Sequence, residues 1–241
     1  MNTTYLLTNS DALLVTDIQN DFLPGGALPV ANGDQIIPVI NEYIHRFEAA
    51  KASILASRDW HPPNHMSFKA QGGPWPSHCV QNTNGAAFSP NLKLPKNTVI
   101  ISKATDPKHE AYSAFDGTPL AKELQMRGVR RLFISGLATD YCVFYTVLDA
   151  RQLGFEAVVL MDATLGIDVK AGDVDRAVKT MLEHGAQQAT TEYFPDAVDN
   201  LPIEEAEPDA LEAKPSLMAA EKKKARMRPR DANKQIKTER G

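Results

Sequence analysis

The sequence predicts an α/β fold, in which a mainly parallel sheet is covered by helices on both faces. Short apolar segments typical of strands alternate with amphipathic segments typical of helices along the first 200 or so residues. The strand segments are almost continuously hydrophobic, as expected for strands that are buried on both sides. Glycines end several of the helix segments, which separates each helix from the strand that follows it.

The predicted strands are short, and each is bounded by polar or turn-forming residues. We expect a sheet of about six strands, at residues 12–16, 53–57, 98–102, 131–135, 156–161 and 188–191. The first helix is predicted over residues 33–51, where isoleucine and aromatic side chains recur at helical spacing. The second is expected to start after Thr118 as N-cap and to end near Gly128. Two more are predicted over residues 140–153 and 173–184.

The composition is that of a globular protein. The chain has 241 residues, of which 43% are hydrophobic and 23% charged, and this excludes a collagen, a coiled coil or a wholly disordered chain. The net charge of −4 gives no overall electrostatic reason to expect nucleic-acid binding. Two cysteines, Cys79 and Cys142, are too few for a disulfide scaffold. With no membrane-spanning apolar run and no secretory signal pattern, we expect a cytoplasmic protein without membrane partners.

The last 40 residues differ in composition from the rest. We predict one domain over residues 1–200 and a charged, disordered tail over residues 201–241, which contains no Phe, Trp or Tyr. The first part of this tail is acidic and its end is basic. A solvated tail is the simpler interpretation, and a weak nucleic-acid-binding or partner-binding arm is the alternative.

Residues with chemical function follow four of the predicted strands. Asp17 follows the first, a group of acidic and histidine residues follows the second, Lys103 follows the third and Cys142 follows the fourth. Because parallel strands present their carboxyl ends at one edge, these side chains are expected to converge there. Each residue taken alone has an ordinary alternative as a turn, core or surface residue; their joint placement favours a site.

Cys142 has the properties expected of a nucleophile. It lies at the start of a predicted helix, where the helix dipole and a nearby Lys103 ammonium would favour a thiolate. Asp17 could accept the thiol proton and later transfer it to a leaving amine. Cys79 has no comparable surroundings, and we expect it to be structural.

The segment after the second strand has the composition of a metal site. It contains Asp59, His61 and His65, and His78 follows in the same loop-rich stretch. One carboxylate with two or three imidazoles suits one divalent Zn, Fe or Mn ion. Solvent-exposed loop histidines are the alternative.

Five motifs together resemble nicotinamidase/pyrazinamidase within the isochorismatase-like hydrolases. They are TDIQNDF (16–22), SRDWHPPNHMSF (57–68), WPSHCV (75–80), KATDPKHEAYSAF (103–115) and GLATDYCV (136–143). The resemblance covers about residues 10–195 and implies a three-layer α/β/α sandwich. It also implies hydrolysis of nicotinamide to nicotinate and ammonia in NAD salvage, through a thioester, with pyrazinamide as a further substrate.

The resemblance implies a role for each matching residue. Cys142 would be the nucleophile, Asp17 its base and Lys103 the positive partner of both. Asp59, His61 and His78 would ligate the metal, which would anchor the pyridine nitrogen, and His65 would act directly or through water. Phe22, Trp75 and Tyr112 would line the substrate pocket. The backbone amides of Ala138 and Cys142 would form the oxyanion hole, and the resemblance also implies a cis peptide bond between Leu137 and Ala138.

Two alternatives remain open at this point. Another hydrolase of the superfamily, such as an isochorismatase or an N-carbamoyl amidase, would lack the metal cluster. A regulatory binding protein on the same fold would lack the catalytic residues, whereas Asp17, Lys103 and Cys142 are all present. The oligomeric state and the native metal are left undecided. Tyr141 stands where some relatives carry histidine, so the finer shape of the pocket is also left undecided.

Overall fold

The structure is a computed structural model that describes residues 4–195. Within these residues six parallel strands form one sheet in the order β3-β2-β1-β4-β5-β6. The strands are β1 Asp11–Thr16, β2 Ser53–Asp59, β3 Val99–Lys103, β4 Arg131–Leu137, β5 Glu156–Leu165 and β6 Gln187–Ala189. The predicted parallel sheet is therefore confirmed.

Helices cover both faces of the sheet and make the sandwich three-layered. Helix α1, Ile37–Ala49, packs on one face, and α2 Leu120–Met126, α3 Phe144–Gln152 and α4 Asp173–Glu183 pack on the other. Alternate residues of β1 supply the two cores: Leu13 contributes to the α1 side and Leu14 to the opposite side. Because both faces are buried, every residue of β1 is buried, which explains its continuous apolar sequence.

The helices are shorter than predicted. Residues 33–36 form a 3₁₀ turn before α1, and a π-helical turn, Thr139–Val143, precedes α3. The expected N-cap role of Thr118 is wrong, because Pro119 is the cap of α2. The Thr118 hydroxyl instead donates to the Ala114 carbonyl at 2.5 Å, although it still accepts a 3.3 Å bond from the Leu120 N–H.

The strand order places a switch in chain direction between β1 and β4. The chain leaves β1 toward β2 on one side and leaves β4 toward β5 on the other. Loops that diverge in this way open a crevice beyond the carboxyl ends of the two strands, which is where open parallel sheets bind ligands. Asp17 and the turn carrying Cys142 border this crevice.

Two sequence predictions concern membrane-spanning segments and the C-terminal tail. No helix within residues 4–195 is both long enough and apolar enough to span a bilayer. The predicted tail, residues 201–241, lies outside the described residues, and so does the predicted boundary at residue 200. The tail and the boundary therefore stay predictions.

Candidate functional site

The carboxyl edge of the sheet gathers the side chains expected to carry the chemistry. Asp59 and Lys103 are the last residues of β2 and β3 and face each other across that ladder. Asp17 follows β1, and Cys142 lies in the π-helical turn after β4. Since β1 lies between β2 and β4, all four side chains belong to one contiguous group.

The Lys103 ammonium connects three other side chains of this group. Its Nζ lies 3.0 Å from Asp17 Oδ2, donates to Cys142 Sγ at 3.3 Å and contacts Asp59 Oδ1. A carboxylate oxygen of Asp17, one of Asp59 and the Cys142 sulfur all lie within 4.8 Å of one another. All four residues are buried. The structure therefore brings the three predicted catalytic residues into direct contact.

The surroundings of Cys142 act on its pKa in opposite directions. Burial raises the pKa of the Cys142 thiol well above its usual value, and although Lys103 acts in the opposite direction, Asp17 and Asp59 raise it further. Lys103 thus favours the thiolate as expected, although its effect is not the largest one on this thiol, and the expected contribution of the helix end stays a prediction. The pKa is raised overall because desolvation and two carboxylates outweigh one ammonium.

The carboxylate and the ammonium respond to burial in different ways. Burial raises the pKa of Asp17, and Lys103 only partly compensates. Burial by itself would lower the pKa of Lys103, but Asp17 and Asp59 reverse this and hold it well above its usual value. The group therefore brings together an ammonium, a carboxyl group and a thiol, each with its pKa raised. A raised pKa makes a carboxylate a better proton acceptor.

Asp17 is held in an unusual backbone conformation. Its φ of +50° lies in the left-handed region, where most residues other than glycine are strained. Ser57 supports it, because the Asp17 N–H donates to the Ser57 carbonyl at 3.1 Å and the Ser57 hydroxyl donates to Asp17 Oδ1 at 2.7 Å. The sequence analysis did not identify Ser57, since a serine inside a strand carries no signal of its partner on the next strand.

Asp59, His61 and His78 form a compact ligand group beside the thiol. His61 Nε2 and His78 Nε2 lie 3.5 Å and 3.9 Å from Asp59 Oδ2, and one ligand atom from each of the three residues lies within 4.8 Å of the others. All three side chains are buried, so the alternative of solvent-exposed loop histidines is wrong.

The protonation of this group fits a divalent metal ion. Lys103 and His61 outweigh the effect of burial and lower the pKa of Asp59 below its usual range, and burial lowers the pKa of His78. A carboxylate with neutral imidazoles is the state that binds metal. His78 Nδ1 donates to the Pro76 carbonyl at 2.8 Å, which leaves Nε2 as a ligand atom.

His61 supplies a further test of the fit. Neither of its ring nitrogens has a hydrogen-bond partner among residues 4–195, although the side chain is buried. A buried polar atom without a partner costs free energy unless another group satisfies it. A metal ion at this group would satisfy one of the two nitrogens, and the donor set therefore matches the predicted Zn, Fe or Mn site.

His65 lies next to the group and does not contribute a free nitrogen. Its ring centre is 4.3 Å from that of His61, but its Nε2 donates to the His109 carbonyl at 3.0 Å. Its Nδ1 bonds to the Ser67 hydroxyl at 2.7 Å. Direct ligation by His65 would require one of these bonds to break, and so its predicted part in metal binding stays a prediction.

A pocket connects the metal group to the thiol. The predicted residues Phe22, Trp75, Tyr112 and Ala138 all line it, together with Cys142. The remaining lining residues include Leu28, Glu110, Tyr141 and Ile167. Leu28, Glu110 and Ile167 were missed, because they lie on separate loops and only the folded chain brings them to one cavity.

The aromatic wall of the pocket is held by its own contacts. Trp75 Nε1 donates to the Tyr112 hydroxyl at 2.9 Å, and the Trp75 ring meets Tyr141 edge-to-face at 5.2 Å. Tyr112 also stacks on Tyr145 at 5.4 Å. These contacts give a rigid, mostly apolar slot that suits a flat aromatic ring.

Two expectations about the cysteine turn and the second cysteine can be compared with the structure. The Leu137–Ala138 peptide bond is cis, as the resemblance implies. Cys79 is a free, buried thiol outside this pocket, and burial raises its pKa far above its usual value. Its N–H donates to Asp21 Oδ2 at 2.7 Å. These features support a structural role for Cys79.

Comparisons with known proteins agree with this site. A nicotinamidase from Acinetobacter baylyi is 40% identical over 205 residues, which cover 76% of this chain and 94% of that protein. A pyrazinamidase of Pyrococcus horikoshii, solved in complex with zinc, is 55% identical with a TM-score of 0.72 and covers 75% of this chain and 99% of its own. PnC1 from L. infantum, solved in complex with nicotinate, is 33% identical with a TM-score of 0.73 over 80% of this chain and 98% of its own.

These relatives confirm the resemblance that the five motifs indicated. The isochorismatase domain matches residues 11–193, which is well over half of the chain and includes every residue of the site described above. The chain therefore belongs to the isochorismatase domain family.

Proposed function

We propose that this chain is a nicotinamide amidohydrolase, which converts nicotinamide and water to nicotinate and ammonia in NAD salvage, with Cys142 as the nucleophile. The observation that carries the proposal is the pocket shared by the buried Asp17–Lys103–Cys142 group and the metal-type group. The nicotinamidase from Acinetobacter baylyi supports the same reaction. Pyrazinamide, a similar ring amide, is expected to be a second substrate.

The first half of the reaction forms a thioester. Cys142 Sγ attacks the carboxamide carbon while its proton passes to Asp17, whose carboxylate lies within 4.8 Å of the sulfur. When the carbon–nitrogen bond breaks, Asp17 returns this proton to the leaving amino group, and ammonia departs. Lys103 keeps its proton throughout and balances the negative charge on the carboxylate and on sulfur.

The second half releases the acid and restores the thiol. Asp17 takes a proton from a water molecule as the water oxygen attacks the thioester carbon, and the carbon–sulfur bond then breaks. The thiolate regains its proton from Asp17, and the product, nicotinic acid, loses its remaining acidic proton to solvent and leaves as nicotinate. In both halves the N–H groups of Ala138 and Cys142 are proposed to hold the oxyanion, where one such donor contributes roughly 3 kcal/mol.

The ring of the substrate is proposed to lie in the slot between Phe22 and Trp75, with Tyr112 fixing Trp75. Asp59, His61 and His78 would hold one divalent ion, and the pyrazinamidase solved with zinc supports this cofactor. When bound, the ion would supply a Lewis acid to the ring nitrogen. The protein groups then orient the carboxamide toward Cys142 and exclude water from the thiol, which is buried.

Ammonia release from nicotinamide tests this function directly. The wild-type chain, loaded with zinc, is expected to release ammonia, and Cys142→Ala is expected to abolish release while zinc content and fold stay unchanged. Cys79→Ala is the matched control, since it removes the other buried free thiol. The assignment fails if Cys79→Ala is the inactive variant, or if mass spectrometry of a quenched reaction finds the acyl group on Cys79.

We also propose that the chain works in the cytoplasm. Both cysteines are free, which suits a reducing compartment. Cell fractionation followed by the ammonia-release assay would check this placement.

A further inference from the structure

Gln19 has a side chain whose polar atoms are all used by backbone groups of other loops. Its Oε1 accepts from the Asp59 N–H at 2.8 Å, and its Nε2 donates to the Asp59 carbonyl at 2.8 Å. The second Nε2 hydrogen donates to the Ala86 carbonyl at 2.9 Å. Gln19 is fully buried. The carboxamide therefore binds both backbone polar groups of one proposed metal ligand.

This contact replaces the sheet at the point where the sheet ends. The ladder between β1 and β2 stops at the Thr16–Ser57 pair, because Asp17 turns the chain away. Asp59 lies two residues farther along β2 and has a strand neighbour only on the β3 side, at Lys103. The Gln19 carboxamide takes the place of the missing neighbour, since it offers one acceptor and one donor as a peptide group would.

The position of Asp59 matters to two groups at once. Its Oδ1 contacts Lys103, and its Oδ2 lies 3.5 Å from His61 Nε2. A displacement of the Asp59 backbone by a few tenths of an ångström would therefore change the geometry of the ligand group. The third bond of Gln19, to Ala86, fixes Asp59 relative to the loop that follows His78.

We propose that Gln19 is a positioning residue for metal binding, which acts by holding the backbone of Asp59. This inference rests on the metal site of the proposed function. Gln19 does not line the pocket and contacts neither Cys142 nor the histidines among the hydrogen bonds of residues 4–195. Loss of a group that orients a metal ligand lowers metal affinity about 10- to 100-fold. The same loss is expected for Gln19.

Two variants of the full chain test the inference. Gln19→Met removes all three bonds at similar side-chain length, and Gln19→Glu keeps the acceptor for the Asp59 N–H but loses both donors. The neighbouring Asn20→Asp is the control, because it loses an amide-to-carbonyl bond, to Asn84, that is solvent-exposed and reaches no metal ligand. Zinc-loaded protein is titrated with a competing chelator, and ammonia release is measured at saturating zinc.

We expect about 10- to 100-fold weaker zinc binding for both Gln19 variants, wild-type affinity for Asn20→Asp, and recovery of most turnover at saturating zinc. Alkylation of Cys142 by iodoacetamide should stay within about threefold of wild type. Wild-type zinc affinity in the Gln19 variants would overturn the positioning role, and so would loss of cooperative unfolding in both. If the wild-type chain itself binds no zinc, the metal site of the proposed function fails instead.

Discussion

Replacing Ser57 by alanine tests whether Asp17 is the base of the reaction. The Ser57 hydroxyl donates to Asp17 Oδ1 at 2.7 Å and lowers the pKa of Asp17, against the larger effect of burial. Hydrogen bonds to a charged acceptor contribute about 1.5–3 kcal/mol, and one pKa unit corresponds to about 1.4 kcal/mol. Since both side chains are buried, the loss should appear almost in full. Ser57→Ala should therefore raise the apparent pKa of the base by about one to two units.

The assay is the pH dependence of kcat/KM for nicotinamide hydrolysis. The acidic limb reports ionisation of the base in the free enzyme. In Ser57→Ala this limb should move to higher pH by the same one to two units, so that kcat/KM at a fixed pH on the limb falls roughly 10- to 100-fold. The value belongs to the coupled Asp17–Lys103–Cys142 group rather than to one residue. Activity well above the new pKa should approach that of wild type.

Ser57→Ala should also make the free energy of unfolding more sensitive to pH. The folded-state pKa of Asp17 is already raised, so its ionisation destabilises the fold as pH rises through that value. Ser57→Ala raises it further, and the variant should lose most free energy of unfolding at neutral pH and least below the unfolded-state pKa of about 4. Urea unfolding at several pH values would measure this difference.

Ser135→Ala is the matched control for Ser57→Ala. Ser135 is also a buried strand serine, but its hydroxyl donates at 3.4 Å to the backbone carbonyl of Leu14. The pH profile of this control should not move. An acidic limb that stays in place in Ser57→Ala would refute the assignment of Asp17, and an equal shift in Ser135→Ala would show that the profile responds to the loss of any buried hydroxyl.

Three further predictions concern the metal, the aromatic slot and the tail. Removal of the metal by a chelator, or His61→Ala, should slow nicotinamide hydrolysis at least about 100-fold, because substrate positioning is lost. Iodoacetamide should still alkylate Cys142 at a rate similar to that of the metal-loaded wild-type protein. Suppressed alkylation would mean that the metal organises the thiol itself. Tyr112→Phe removes the acceptor of Trp75 Nε1 and should raise KM about fivefold with little change in kcat, whereas Tyr145→Phe, the stacked neighbour, should leave KM unchanged. Truncation after Asn200 should preserve most turnover and the Tm, since residues 201–241 contain no aromatic side chain, and a Tm loss of several degrees would contradict this.

The sequence was sufficient for the order of the elements and for locating the residues that we propose to be catalytic. Asp17, Lys103 and Cys142 could be found because each directly follows, ends or closely follows an apolar strand segment. In a parallel sheet the end of one strand lies near the end of the next, so position in the sequence translates into position at one edge. His61 and His78 were found for a different reason, because one carboxylate and several histidines clustered in a short loop-rich segment offer the ligands of a divalent metal ion.

The contacts of single polar residues could not be predicted in this way. Gln19 and Ser57 each bond to a group about 40 positions away in the chain, and His65 bonds to His109 across a similar distance. Nothing in the local pattern around these residues shows which partner they have. The register of β1 against β2 decides the first two contacts, and the path of the loop after β3 decides the third.

The sequence by itself thus determined the α/β class, the parallel strands and which residues follow the strand ends, because periodicity and strand-end position are local properties of the chain. Only the tertiary structure decided the protonation of Cys142. A thiol pKa depends on how far all surrounding atoms exclude water and on the balance between the Lys103 ammonium and the two carboxylates. That balance arises from four strands meeting at one edge, and it exists only when the chain is folded.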